Sequence, residues 1–220
     1  MSNHLRFLAL VACVSVVGCE VVTIAPPIVG SNVAKSEDRS ISGVTKIAMR
    51  NIGTLIVKQS DRESLTVKGD DNIVPLMESK VSDGTLTLGI AKDATIQPKA
   101  AMEYIVEVKS LANLSLAGAA TAKVSELDGK SLAVTVTGAC DAKLQGKMDS
   151  IQLNATGASK INAADLACKK ATVAVTGASS TAVNASETLD VTATGACAVT
   201  YRGDPKVSKS VAGASTVKKQ

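Results

Sequence analysis

From Leu111 onward, apolar and polar residues alternate with a period of two, and the alternation is punctuated by a Gly that each time precedes Ala. These glycines are Gly118, Gly138, Gly157, Gly177, Gly195 and Gly213, spaced 20, 19, 20, 18 and 18 residues apart. Two residues before each stand Leu116, Val136, Ala155, Val175, Ala193 and Val211; two after stand Ala120, Cys140, Ser159, Ser179, Cys197 and Ser215. Even offsets are small or apolar and odd offsets mostly polar, as expected of strands with one face inside and one outside. A fixed period near twenty with β alternation on both sides predicts an all-β fold, a parallel β-helix (β-solenoid) with coils of about 18–20 residues. Stacked coils lie about 4.8 Å apart, so like residues form ladders along the axis. The Gly ladder marks a corner where a Cβ has no place. Lys209 and Lys219 fall at inward offsets in the last coil only, where polar residues close the core and blunt an open edge.

Upstream, residues 39–117 are a less regular part of the same domain, and residues 118–220 are the regular coils. Short strand-like runs, "GTLIVKQ", "SLTVKG", "GTLTLGI" and "EYIVEVK", are separated by the turn compositions "SDRE", "GDDN" and "SDG". "NIVPLMESKV" has room for a helical turn, but Pro75 argues against a long one. Residues 19–38 show no sustained period and carry a Pro pair, so they read as a tether ahead of the 39–220 domain.

The first 18 residues change the picture of where the protein resides. "MSNHLR" is a basic start and "FLALVACVSVVG" an apolar run too short to span a bilayer. It ends at "VVGC" and resembles a bacterial lipoprotein signal, in which Cys19 becomes the lipidated first residue, palmitate included. "LVAC", ending at Cys13, fits the same pattern but leaves a shorter apolar run, so Cys19 is favoured. An ordinary secretory signal would discard both. Glu20 after the Cys favours, by resemblance to enterobacterial lipoproteins, the outer membrane. Cleavage removes His4, the one histidine of the sequence. A mature chain without His excludes His-activated nucleophiles and His-ligated metals.

Composition narrows function further. The sequence has no Trp, one Phe and two Tyr, so the core is built of Val, Leu, Ile and Ala. A net charge of +4 spread singly along the chain, with no stacking aromatics, is not a nucleic-acid surface. Cys140, Cys168 and Cys197 remain after the signal. Cys140 and Cys197 share a ladder but lie three coils, roughly 14 Å, apart. A disulfide needs Cα atoms within about 7 Å, so all three are expected as free, buried, small hydrophobes. Thr137, Thr156, Thr176 and Thr194 each precede a ladder Gly, and Thr135 and Thr192 add Thr-x-Thr pairs. This outward hydroxyl row is a candidate binding face for a glycan or another surface, although strand propensity alone also places Thr there. Asp128, Asp141, Asp149, Asp165, Asp190 and Asp204 occupy different offsets and mostly neighbour Lys, without the clustering that catalysis or calcium requires. No cofactor or metal site and no catalytic residue are expected.

The run from "ISGVTKIAMRNIGTLIVKQSDRESLTVKGDDNIVPLMESKVSDGTLTLGI" through "LANLSLAGAATAKV" and the "TGA" coils to "YRGDPKVSKSVAGASTVKK" resembles the head GIN domain family, whose members are labelled autotransporter adhesins. The resemblance covers about residues 39–220. It implies a right-handed β-helix, secretion and frequently a lipid anchor, and supplies no ligand or catalytic residue. Val44 stands where a Phe is usual, and Gly-Ala where Gly-Ser-Gly is common. The expectation is a lipid-anchored cell-envelope protein whose β-helix is a non-catalytic platform for binding a glycan or an envelope protein. The alternatives are a polysaccharide-active, lyase-like β-helix enzyme and a purely structural envelope component. Clustered Asp, Lys and Arg beside a cleft would favour the enzyme.

Overall fold

The computed structural model describes residues 26–220, so the signal segment, Cys13 and Cys19 lie outside the described residues. Strands make up 73% of it, and they wind into a β-solenoid of about 5 turns. In chain order they are β1 (Ile28–Val29), β2 (Ala34–Arg39), β3 (Lys46–Gln59), β4 (Ser64–Asp70), β5 (Met77–Ser82), β6 (Thr85–Ile90), β7 (Ile96–Gln97) and β8 (Glu103–Val108). The remainder are β9 (Asn113–Gly138), β10 (Asp141–Gly157), β11 (Lys160–Gly177), β12 (Ser180–Gly195), β13 (Ala198–Arg202), β14 (Lys206–Gly213) and β15 (Thr216–Lys219). The helical turn read around Pro75 is a single 3-10 turn, Val74–Leu76, and no α-helix occurs among the described residues.

From β9 to β12 each strand runs most of the way round one coil and stacks parallel on the next. The register follows the sequence offsets: Gly138, Gly157, Gly177, Gly195 and Gly213 are partners in succession. Every inward residue of the intermediate coils is buried, from Leu114 and Leu116 through Leu153 and Val173 to Val191 and Ala193. Aliphatic side chains of this size contribute about 1.5–3 kcal/mol each when fully buried, and the columns repeat that contribution coil after coil. In the last coil the rule lapses: Val211 is 42% exposed, and Lys209 and Lys219 lie in solvent.

The regular stack begins earlier than the Gly ladder suggests. β3 lies in register on β9, with Ile47 on Leu114, Met49 on Leu116, Leu55 on Ala122 and Val57 on Val124. Asn51 occupies the ladder position opposite Gly118, at φ +76°. The division of the body at Gly118 therefore marks where Gly enters the corner, and stacking crosses it without a break. Beyond β3 the coils give way to a cap. β8 pairs parallel to β3, β4 antiparallel to β8, and β2 antiparallel to β4. β5 and β6 form a hairpin on Asp83–Gly84, both at positive φ, as the Asp-Gly turn demands. Tyr104, the one ring in the buried core, is wholly enclosed in this region, and its hydroxyl donates to Gly89 O at 2.6 Å.

Residues 19–38 are not tether throughout. Ile28–Val29 pairs with Ile96–Gln97, and Ala34–Arg39 is the outermost strand of the main sheet. Edge strands exposed on most of their surface carry polar residues at both parities, so β2 gives no hydrophobic alternation to read.

Candidate binding surface

The corner that carries the ladder is built from one repeated set of contacts. Each ladder Gly lies at φ between +78° and +109°. A Cβ on Gly138 would lie 2.4 Å from Gly118 O, and one on Gly157 would lie 2.7 Å from Gly138 O. That crowded carbonyl accepts the N–H of the next coil's Ala: Ala139 to Gly118 at 2.8 Å, Ala158 to Gly138 at 2.9 Å, Ala178 to Gly157 at 2.8 Å. It also accepts the side chain one residue on. Ser159 Oγ reaches Gly138 O at 3.0 Å, Ser179 Oγ reaches Gly157 O at 3.1 Å and Ser215 Oγ reaches Gly195 O at 3.0 Å. Cys140 and Cys197 occupy the same column, with Sγ 3.4 and 3.5 Å from Gly118 O and Gly177 O. The inward Ser and Cys residues are thus small donors that tie coil to coil at the bend.

This corner holds the preceding strand segments flat and in register. Thr137, Thr156, Thr176 and Thr194 stack as direct partners in one column and all are exposed. Thr135 and Thr192 belong to the neighbouring column but are separated by Asn154 and Ala174. The sequence-predicted hydroxyl row is therefore continuous in one column and interrupted in the other. A third column, Ala133, Gln152, Thr172, Asp190 and Ser208, completes the face. Thr172 extends the face and was missed, although counting offsets five residues before each Gly would have found it. Across these three columns, from Ala133 to Ser210, Asp190 is the one charged side chain. Five coils at about 4.8 Å make a face roughly 20 Å long.

Charge is gathered instead at another edge of the coils. Asp128 faces Lys147 at 3.3 Å and Asp149 faces Lys169 at 2.8 Å, each ion pair linking one coil to the next. Lys169 holds the Asp149 carboxyl below its ordinary value by hydrogen bond and charge, and its own ammonium is raised in return. An open groove of about 560 Å³ runs between these pairs over Met148 and Cys168. Burial pushes the Cys168 thiol up to about 11, which makes it a poor nucleophile. Lys143–Asp165 and Lys219–Asp204 repeat the coil-to-coil pairing elsewhere. Four of the six carboxylates singled out in the sequence are so engaged: Asp128 and Asp149 line this groove with Lys130, Lys147 and Lys169, and Asp165 and Asp204 lie away from it. Among the described residues no three His, Cys, Asp or Glu side chains converge as a metal site. Cys140, Cys168 and Cys197 are buried and free.

Against known proteins, residues 43–205 match the family model described as "Putative auto-transporter adhesin, head GIN domain". No curated protein matches the chain in sequence. Among solved structures, a "putative adhesin" from Bacteroides fragilis is 24% identical with a TM-score of 0.71, covering 88% of this chain and 100% of its own. A "putative lipid binding protein" from Parabacteroides distasonis is 19% identical with a TM-score of 0.57, over 89% of this chain and 100% of its own. A "putative adhesin" from Parabacteroides merdae is 16% identical with a TM-score of 0.53, over the same shares of 89% and 100%. At these identities the likeness is one of fold.

Proposed function

This chain belongs to the head GIN domain family, and from that premise we propose that it is a lipid-anchored cell-envelope protein, held at the outer membrane through Cys19, whose β-solenoid is a non-catalytic adhesion platform. The observation that carries the reading is the hydroxyl-rich face of Thr135, Thr137, Thr156, Thr176, Thr192 and Thr194, with Asp190 its one charge, on a scaffold with few degrees of freedom. Side chains two bonds long, fixed in register, lose little rotamer freedom on contact, which favours recognition of a regular partner such as a glycan or an envelope protein. The absence of stacking rings from this face makes hydrogen bonding its means of recognition. Asp128 and Asp149 in the charged groove are each paired with a Lys of the next coil and no Arg lines it, which weighs against the lyase-like alternative.

The test has two arms. Replacing Cys19 by Ala should move the protein from the membrane to the soluble envelope fraction, and retention in the membrane would defeat the anchor. Thr156→Lys with Thr176→Lys places two charges at the centre of the face. Glycan-array or envelope pull-down signals should disappear with that pair and survive Lys143→Ala on a different face. Equal loss in both would remove the Thr face from the proposal.

A further inference from the structure

The chain enters its folded body along a strap, residues 28–33, that is tightly fastened on one side and apolar on the other. Ile28 N–H donates to Thr95 O at 2.7 Å and Gly30 N–H to Gln97 O at 2.9 Å. Asn72 clasps the strap with both ends of its amide, donating to Val29 O at 2.9 Å and accepting Ser31 N–H at 3.0 Å. The buried carboxylate of Asp70 accepts the N–H groups of Asn32 at 2.7 Å, Lys99 at 2.9 Å and Ala100 at 3.0 Å. Gly30 is pressed so close that a Cβ would lie 2.3 Å from Asp70 Oδ2.

Such fastening could have turned the strap's aliphatic side chains inward, yet Ile28, Val29 and Val33 are 40%, 47% and 56% exposed. They are three of the six large hydrophobic side chains exposed among the described residues; Ile52, Val81 and Val211 are dispersed along the chain. The same character extends toward Cys19. No charged residue occurs from Val21 to Ala34, and ten of those fourteen residues are Val, Ile, Ala or Pro. A spacer that holds a head out in water is rich in Gly, Ser or charge, and this one has the reverse composition.

We infer that the strap is a membrane-contact element, which seats the N-terminal end of the solenoid on the headgroup layer of the bilayer that carries the Cys19 lipid. The inference rests on the lipid anchor proposed above. Six residues separate Cys19 from Pro26, and the seven steps between the two reach at most about 25 Å, so a lipid at Cys19 keeps Ile28, Val29 and Val33 within range of the interface. Apolar side chains presented from a fixed backbone enter the boundary between headgroups and acyl chains without an ordering cost. The strap adjoins β2, at one end of the sheet path of ten strands that finishes at β15. Nine steps of about 4.8 Å place the last coil roughly 40 Å from the contact.

The sequence has no Trp, so a single introduced indole reports its own surroundings. Full-length lipidated Val33→Trp, reconstituted in phosphatidylethanolamine–phosphatidylglycerol vesicles with brominated acyl chains, should emit to the blue of its detergent-free soluble form and be quenched by the bromine. Lys218→Trp, on the last strand, should emit as in water and remain unquenched. A Val33→Trp protein that floats with the vesicles but emits as in water overturns the contact and leaves the anchor standing. A blue shift without bromine quenching, growing with protein concentration, overturns it in favour of a second copy of the chain. Protein that does not float removes the anchor and the inference together.

Discussion

Substituting Gly138 by Ala adds one methyl group at the point where two coils are closest. The backbone there is at φ +102°, and the new Cβ would meet Gly118 O at 2.4 Å. Holding an L-residue in so sparsely populated a region costs about 1–3 kcal/mol. The contact cannot be relieved by a side-chain rotation because both atoms belong to the backbone, so the coils must separate. Separation weakens the Ala139 N–H bond to Gly118 O, at 2.8 Å, and the Cys140 Sγ contact to the same oxygen. A buried backbone donor left without its partner costs about 1–3 kcal/mol. Together these effects give a destabilisation of about 2–6 kcal/mol. Gly43 supplies the control: it lies at φ +68° with nothing within 4 Å of an added Cβ. Gly43→Ala therefore carries only left-handed backbone strain, about 1–2 kcal/mol. Urea unfolding followed by circular dichroism should show a much larger fall in midpoint for Gly138→Ala than for Gly43→Ala at equal slope. Equal midpoints would refute the claim that coil-to-coil crowding, and not local conformation, requires glycine at this corner.

Thr181 Oγ1 is buried without a hydrogen-bond partner, so Thr181→Val should raise stability by about 1 kcal/mol, and a loss in the same urea assay would show that the hydroxyl is bonded. Stability should be level between about pH 5 and 8, because the described chain has no His, and should fall below about pH 4.5. The sign follows from depressed carboxyl values. Arg62 with Ser60 brings Glu107 to about 2, the Val44 and Gly43 N–H groups lower Glu63, and three N–H donors outweigh burial at Asp70. Each contributes stability above its unfolded value that is lost as pH falls through its folded one; a thermal midpoint unchanged down to pH 3 would contradict this. Maleimide labelling without reductant should modify none of Cys140, Cys168 and Cys197 readily in the folded protein and all three after denaturation, and a protected pair would show a wrong register.

The repeating coils were legible in the sequence because their determinants are local and periodic. A Gly every 18 to 20 residues, with two-residue alternation around it, fixes parity, and parity fixes which residues face the core. The Thr column is read from the same count. Three features needed the tertiary structure. Asn51 holds a ladder position without being Gly where β6 pairs with β3 only as far as Met49 and β8 begins pairing at Thr54, so the coil-to-coil ladder is interrupted on that side of Asn51. "GDDN" reads as a turn, and part of it is one, but Asp70 within it is a buried clasp for connecting segments far away in sequence. β1 and β2 look like tether because their partners, β7 and β4, are more than thirty residues distant in the case of β2's first pair and further for β1's. Periodicity records what a residue's own strand does with its two faces. It carries no record of a carboxylate that meets three amides from two separate segments, since only the closed chain brings those donors to one point.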